Sequence, residues 1–162
     1  MEYLAYFRPN GELYDLILRQ THLVLLSSGL HSTLCFFNME PEKEKSLITD
    51  LSQISFNLFE IEILAFDDFD KDSLVLRLSR SDELLRLHKG IVAVVRKYVN
   101  IEFDAITKQY FEDNYNPHLT ISKSYSEFDR TSKGLIGRKD RIKIHFSKKS
   151  RWKLERNAGF LF

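Results

Sequence analysis

The chain has 162 residues, of which 43% are hydrophobic and 29% are charged, with 6 Gly, 3 Pro and one Cys. This composition predicts one globular domain, residues 1–162, and excludes a long disordered chain. The single cysteine excludes an intrachain disulfide and a zinc cluster of cysteines. No segment has the roughly 20 apolar residues of a membrane-spanning helix, and residues 1–10 do not resemble a secretory signal. We therefore expect a cytoplasmic protein that does not bind membranes.

Charge is unevenly distributed along the chain, although the net charge is only +1. Residues 130–156 contain eleven Lys or Arg and two acidic residues, whereas residues 40–72 contain ten acidic residues and three Lys. Such runs usually form solvated surfaces. The basic run could also attract a polyanion such as RNA, and the sequence leaves both interpretations open.

Strands and helices alternate in the predicted chain order. Runs rich in apolar and β-favouring residues predict strands at 2–8, 30–37, 56–66, 73–79, 118–123, 141–148, 151–155 and 159–162. Helical spacing of apolar residues predicts helices at 12–26, 41–54, 81–98, 106–112 and 125–135, with 24–26 as alternative strand. Ser81, followed by two acidic residues, is typical of a helix N-terminus. Strands 56–66 and 73–79 form a predicted hairpin, as do 141–148 and 151–155. This order indicates an α+β fold, with helices covering one face of mainly antiparallel sheets.

Two short motifs repeat within predicted strands, 87 residues apart. Residues 31–34 read His-Ser-Thr-Leu, and residues 118–121 read His-Leu-Thr-Ile. Because alternate side chains of a strand share a face, His31 should lie beside Thr33, and His118 beside Thr120. If the two strands face each other, one cavity holds two proton carriers and two hydroxyl donors. This set of groups is suited to acid–base chemistry on a phosphate.

The two motifs resemble those of the 2H phosphoesterase superfamily, which is named for paired His-x-Thr/Ser-apolar sequences. The resemblance rests on residues 30–37 and 116–123, including Pro117 before the second His, and the order of elements agrees over most of the chain. It implies a bilobal fold in which two pseudo-symmetric sheets line a central cleft, with helices on the outer faces. Many relatives carry Arg shortly after the second motif, where this chain has Lys123.

The resemblance implies a metal-independent phosphoesterase without a cofactor. Its substrate would be a 2′,3′-cyclic phosphate or 2′-5′ phosphodiester on an RNA end or small nucleotide, and 2′-5′ ligation could be the reverse activity. One imidazole takes a proton from water and the other gives one to the leaving oxygen, while Thr33 and Thr120 donate hydrogen bonds to phosphate oxygens. The sequence does not say which His is the base. No cluster of acidic residues that could bind a metal lies beside either motif.

Other side chains near the motifs are candidates for substrate binding. We expect Lys123 to contact a phosphate, and Phe37, Tyr115 and Tyr125 to stack against a base. Three further residues are interpreted as structural or weak candidates. Cys35 should share the face of His31 as a small buried group, His88 should pack at the edge of the core, and His145 belongs to a rival His-x-Ser sequence. We expect a monomer, and the alternative function is a non-catalytic module that binds a nucleotide or RNA in the same cleft.

Overall fold

Seven strands and three α-helices make up the computed structural model, which describes residues 1–21, 29–57, 59–69, 73–99, 111–122 and 134–148. The strands are β1 (Glu2–Arg8), β2 (Ser32–Asn38), β3 (Glu60–Phe69), β4 (Ser73–Leu78), β5 (His118–Ser122), β6 (Lys139–Arg141) and β7 (Lys143–Lys148). The helices are α1 (Gly11–Thr21), α2 (Glu44–Ser52) and α3 (Asp82–Val95), and 3₁₀ turns occupy Pro41–Lys43 and Glu112–Asn114.

The strands form two antiparallel sheets, which confirms the predicted α+β class. One sheet has the order β2-β1-β7 and the other has the order β5-β4-β3-β6. Each sheet contains one of the two His-x-Thr sequences, at β2 and at β5. The predicted strand at 2–8 and the hairpin formed by β3 and β4 are confirmed, although β3 extends to Phe69. Strand 141–148 is observed as β7, which pairs with β1.

Several predicted elements fall wholly or partly outside the described residues. These are the end of the first helix and its alternative strand at 24–26, the helices at 106–112 and 125–135, and the strands at 151–155 and 159–162. Within the described ranges, helix α1 is observed to Thr21, and residues 134–137 form turns. None of the helices in these ranges combines the length and apolar character needed to cross a membrane.

Helix α3 begins as the sequence predicted and supplies much of the core. The Ser81 hydroxyl accepts a hydrogen bond from the backbone N–H of Leu84 at 3.1 Å, which satisfies one of the donors that have no partner within the helix. The buried residues of the helix recur at helical spacing: Leu84, Leu87, His88, Ile91, Val92 and Val95. Leu87 lines a small apolar cavity with Leu51 of α2 and Ala5 of β1. Helices α2 and α3 therefore cover the face of the first sheet to which Ala5 points.

A β-bulge in β2 determines which of its residues face away from these helices. Ala5 pairs with Cys35, but its neighbour Tyr6 pairs with Thr33, so Leu34 is an extra residue in β2. Paired residues point to the same side of a sheet, and Ala5 and Tyr6 point to opposite sides. The bulge therefore separates Cys35 from Thr33, which corrects the prediction that Cys35 shares the face of His31. The buried Cys35 thiol, whose pKa burial raises to about 12, belongs to the helix-covered side.

Candidate active site

The two motif histidines lie at the beginnings of their strands, and the two strands contact each other. His31 immediately precedes β2, and His118 is the first residue of β5. The positive charge of His118 is among the influences that lower the pKa of His31. The fold thus brings together parts of the chain that are far apart in sequence.

Both imidazoles are held by the same local hydrogen bond. Nδ1 of His31 lies 3.1 Å from the carbonyl oxygen of Gly29, and Nδ1 of His118 lies 2.9 Å from that of Asn116. A carbonyl oxygen only accepts hydrogen bonds, so Nδ1 carries the proton in each ring. Nε2 is then the nitrogen that can take a proton when the ring is neutral, or give one when it is charged. The two halves therefore present the same tautomer to the site.

The backbone of Gly29 explains how its carbonyl reaches His31. Gly29 has φ = +66°, a backbone conformation that residues other than glycine rarely adopt. A Cβ at this position would also lie 3.3 Å from the Tyr14 hydroxyl. The first motif thus depends on a glycine two residues before the histidine. In the second motif, Asn116 supplies the equivalent carbonyl with a negative φ.

Burial is the main influence on the charge of His31. It lowers the pKa of His31 to about 4, and the hydrogen bond to Gly29 opposes this shift. The positive charges of Arg8 and His118 act in the same direction as burial and are included in this value. The free protein consequently holds His31 in the neutral form at pH 7, which is the form that accepts a proton.

Aromatic contacts extend the surface around His31 across the first sheet. The ring of Tyr6 meets His31 edge-on, with centroids 5.6 Å apart, and stacks on His145 at 5.2 Å. Tyr6 pairs with Thr33 on one side and with His145 on the other. His31, Thr33, Tyr6 and His145 therefore share one face, which we call the cleft face. The rival His-x-Ser sequence reaches this face on β7, with Tyr6 between it and the first motif.

On the second sheet, His118 and Thr120 share a face in the same way. His118 pairs with Arg77 of β4, and Thr120 pairs with Val75. The Arg77 guanidinium makes an ion pair with Asp67 of β3 at 3.4 Å. Both threonines are partly buried. Each half thus places a hydroxyl on the same side as its histidine.

Two of the predicted base-stacking residues are buried, which corrects those predictions. Phe37 is 4% exposed and stacks against Tyr3 and Phe146 of the core, on the opposite side of β2 from Thr33. Tyr115 is also 4% exposed, and its ring lies parallel to that of His88 at 4.1 Å. Neither ring is accessible to a base. Lys123 and Tyr125 lie outside the described residues, so their roles stay predictions.

Phe36 is the aromatic residue that the bulge turns toward the cleft face. It pairs with Leu4, which lies on the same side of β1 as Tyr6, and it is 40% exposed. Strict alternation from His31 selects residues 33, 35 and 37, so it could not have found Phe36. Sequence reasoning missed Phe36 because the extra residue in β2 reverses the alternation of side chains between the two faces after Leu34.

His88 joins the two motif strands and is not merely packed at the edge of the core. It is fully buried; its Nδ1 donates to the Leu34 carbonyl at 2.8 Å, and its Nε2 accepts from the Glu112 N–H at 2.9 Å. Leu34 is the bulge residue of β2, and Glu112 begins the turn that leads to β5. The Tyr115 hydroxyl adds a third link by donating to the Thr33 carbonyl at 3.1 Å. Burial lowers the pKa of His88 to about 4, so this connection contains a neutral imidazole.

Known structures share this architecture. A crystal structure described as a phosphoesterase is 17% identical in sequence and superposes with a TM-score of 0.60. The match covers 90% of this chain and 86% of the phosphoesterase chain. The protein TT0787 of Thermus thermophilus is 16% identical, with a TM-score of 0.70 and coverage of 91% and 88%. LigT of E. coli, solved with 3′-AMP, is 14% identical, with a TM-score of 0.59 and coverage of 90% and 85%. At these identities the likeness shows the fold.

The sequence itself matches a known family. No curated protein matches the chain significantly. The profile of the 2′-5′ RNA ligase superfamily, however, matches residues 22–131, which include both His-x-Thr sequences. Together with the phosphoesterase and LigT folds, this match agrees with the 2H phosphoesterase resemblance of the motifs and supports a phosphoesterase-type activity. The chain belongs to the 2′-5′ RNA ligase superfamily.

Proposed function

We propose that this protein is a metal-independent phosphoesterase that hydrolyses a 2′,3′-cyclic phosphate or a 2′-5′ phosphodiester on an RNA end or small nucleotide. The observation that carries the proposal is the matched pair of imidazoles, each with Nδ1 bonded to a backbone carbonyl two residues earlier. With the Nδ1 proton directed at a carbonyl, Nε2 is the nitrogen at which each ring would exchange a proton with the substrate or water. The structures of LigT with 3′-AMP and with ATP are consistent with a nucleotide substrate.

His31 acts as the base in the opening of a cyclic phosphate. Its neutral Nε2 takes a proton from water as the water oxygen bonds to phosphorus. The bond from phosphorus to O3′ breaks, and protonated His118 gives its proton to that oxygen, which leaves a 2′-phosphate. The water proton thus resides on His31 and the proton of His118 on the 3′-hydroxyl. Both histidines return to their starting forms by exchange with solvent. If a 5′-hydroxyl attacks the cyclic phosphate in place of water, the same breakage of the P–O3′ bond gives a 2′-5′ phosphodiester.

Hydroxyl groups and an aromatic ring position the substrate in this scheme. Thr33 and Thr120 donate hydrogen bonds to the non-bridging oxygens, where negative charge accumulates in the transition state. Phe36 replaces Phe37 as the surface on which a base stacks, because it is the exposed aromatic residue on the cleft face. Lys123 and Tyr125 keep their proposed roles as substrate contacts.

Alanine substitutions of the two histidines test this function. Each of His31→Ala and His118→Ala should lower kcat on uridine 2′,3′-cyclic phosphate by at least ~10²-fold, because a general acid or base contributes ~10²–10⁴. The matched control is His145→Ala, which removes the third imidazole of the cleft face and should lower kcat by less than about fivefold. Circular dichroism would verify that each variant is folded. Retention of activity in either motif variant would reject the mechanism.

Two further outcomes separate this function from its alternatives. Addition of EDTA to the wild-type protein should leave turnover unchanged, and strong inhibition would indicate a metal enzyme. Binding of nucleotides without turnover of any cyclic or 2′-5′ substrate would identify the protein as a binding module.

A further inference from the structure

Arg8 lies at one end of the cleft face, next to His31. It is the last residue of β1 and follows Tyr6 by two positions, so both side chains leave the strand on the same side. The Arg8 Cζ atom is 5.3 Å from the centroid of the Tyr6 ring. One Arg8 Nη lies 3.7 Å from the position that a Cβ on Gly29 would occupy.

Within the part of the chain that the structure describes, the Arg8 side chain lacks the partners that a guanidinium group usually has. Its Nε is buried and has no hydrogen-bond partner among the residues that the structure describes. None of the ion pairs found in those residues involves Arg8. A buried donor without an acceptor is unfavourable, and the contact with Tyr6 offsets only part of that cost. An anion bound at Arg8 would provide the missing acceptors.

The position of Arg8 relative to His31 indicates which anion it binds. Arg8 approaches Gly29, the residue whose carbonyl accepts from His31 Nδ1, and from this we place the guanidinium nearer to the Nδ1 end of the imidazole than to Nε2. The reacting phosphate must instead lie at Nε2, where the proton is transferred. Arg8 is therefore beside the reacting group and not directly at it.

We propose that Arg8 forms a second anion-binding subsite, which recognises a phosphate of the substrate other than the one that reacts. This inference rests on the proposed function, and it selects a substrate class. The preferred substrate is an RNA end or a nucleotide that carries a further phosphate, such as one on its 5′ oxygen. Arg is suited to this role because its planar guanidinium binds phosphate through two parallel hydrogen bonds.

The arrangement of the cleft face gives the bound substrate a direction. Phe36 pairs with Leu4 near the beginning of β1, whereas Arg8 ends the same strand. The four steps along the strand from Leu4 to Arg8 span ~13 Å, with Tyr6 at the midpoint. A base at Phe36 and a second phosphate at Arg8 would thus bind on opposite sides of the reacting phosphate.

The experiment compares two ligands that differ by one phosphate, uridine 2′-monophosphate and uridine 2′,5′-bisphosphate. Binding of each is measured by calorimetry on the full chain, so the result does not depend on turnover. The wild-type protein should bind the bisphosphate about tenfold more tightly, the size expected for a charge-assisted hydrogen bond. Arg8→Met should reduce this preference to less than about twofold, and Arg8→Lys should retain part of it.

A matched control separates the subsite from a general effect of charge. Arg19→Met removes one positive charge from the exposed surface of α1, where Arg19 Nε donates to the Asp15 carbonyl, and should keep the full preference. Equal weakening of both ligands by Arg8→Met would show that Arg8 binds the reacting phosphate, which overturns the inference. A wild-type protein that binds both ligands equally would also overturn it.

The inference and the proposed function can fail separately. Absence of turnover on cyclic phosphates, with the preference for the bisphosphate intact, would reject only the catalytic function. Turnover of uridine 2′,3′-cyclic phosphate with no advantage from an added 5′-phosphate would reject only the subsite.

Discussion

The two motif regions share one hydrogen-bond pattern but differ in their surroundings. His31 lies against the Tyr6 ring and near Arg8, whose positive charge has no acidic partner within the described residues. His118 lies opposite Arg77, whose charge is paired with Asp67 on the exposed surface of the second sheet. The two histidines thus make the same hydrogen bond, but the charged groups around them differ. Such a difference allows two identical side chains to perform opposite proton transfers.

The connection between the two regions is also built from buried polar groups. His88 bonds to the first motif strand through Leu34 and to the approach of the second through Glu112. The relative placement of the two motif histidines should therefore depend on a buried residue that belongs to neither motif.

Loss of this connection should produce the largest change in stability. His88→Ala leaves the Leu34 carbonyl and the Glu112 N–H without partners and creates a cavity, so the free energy of unfolding should fall by about 3 kcal/mol. Urea denaturation measures this change. Ile136→Ala, at a residue that is 45% exposed, should change the free energy of unfolding by less than about 0.5 kcal/mol.

The same variant should remove part of the pH dependence of stability. The pKa of His88 is about 4 in the folded protein and near 6.5 when unfolded, so its contribution is complete above pH 6.5 and is lost as the pH falls toward 4. The wild-type free energy of unfolding should thus decrease over this range more steeply than that of His88→Ala. Parallel curves for the two proteins would contradict a buried neutral imidazole.

A change at Gly29 should affect the first region without affecting the second. Gly29→Ala places a Cβ at positive φ and close to the Tyr14 hydroxyl, which should displace the carbonyl that holds His31. We expect kcat to fall about tenfold, since each proton carrier contributes at least that much when correctly placed. Asn116→Ala is the control, because it keeps the backbone carbonyl that holds His118. Equal losses in the two variants would show that the glycine has no special role.

The smallest expected effect is a shift in the titration of His31. Proton NMR should show His31 titrating near pH 4 in the free protein. Arg8→Met should raise the pKa of His31 above this value, because removal of a neighbouring positive charge favours the imidazolium. In the wild-type protein, kcat/KM plotted against pH should also fall as the pH drops through about 4. Below that pH His31 is protonated and cannot act as the base. An acid limb above pH 6 would contradict the assignment of His31 as the base.

Local sequence patterns predicted a large part of the fold. The strand β1, the β3–β4 hairpin and the cap of α3 at Ser81 follow from short-range preferences for turns, alternation and helix termini. The two His-x-Thr sequences could likewise be found by inspection, because side chains two residues apart in a strand share a face. Such features depend on neighbours in the chain, which the sequence displays directly.

Residue order therefore determined the α+β class, the superfamily and the candidate proton carriers of this protein. Tertiary structure alone decided that Phe36, and not Phe37, faces the cleft, because the bulge at Leu34 arises only when β2 pairs with β1. It also decided that Tyr115 and His88 form a buried link, and that Arg8 lies beside His31. These outcomes depend on contacts between segments far apart in the chain, whose energies are set by packing and burial that no local pattern encodes.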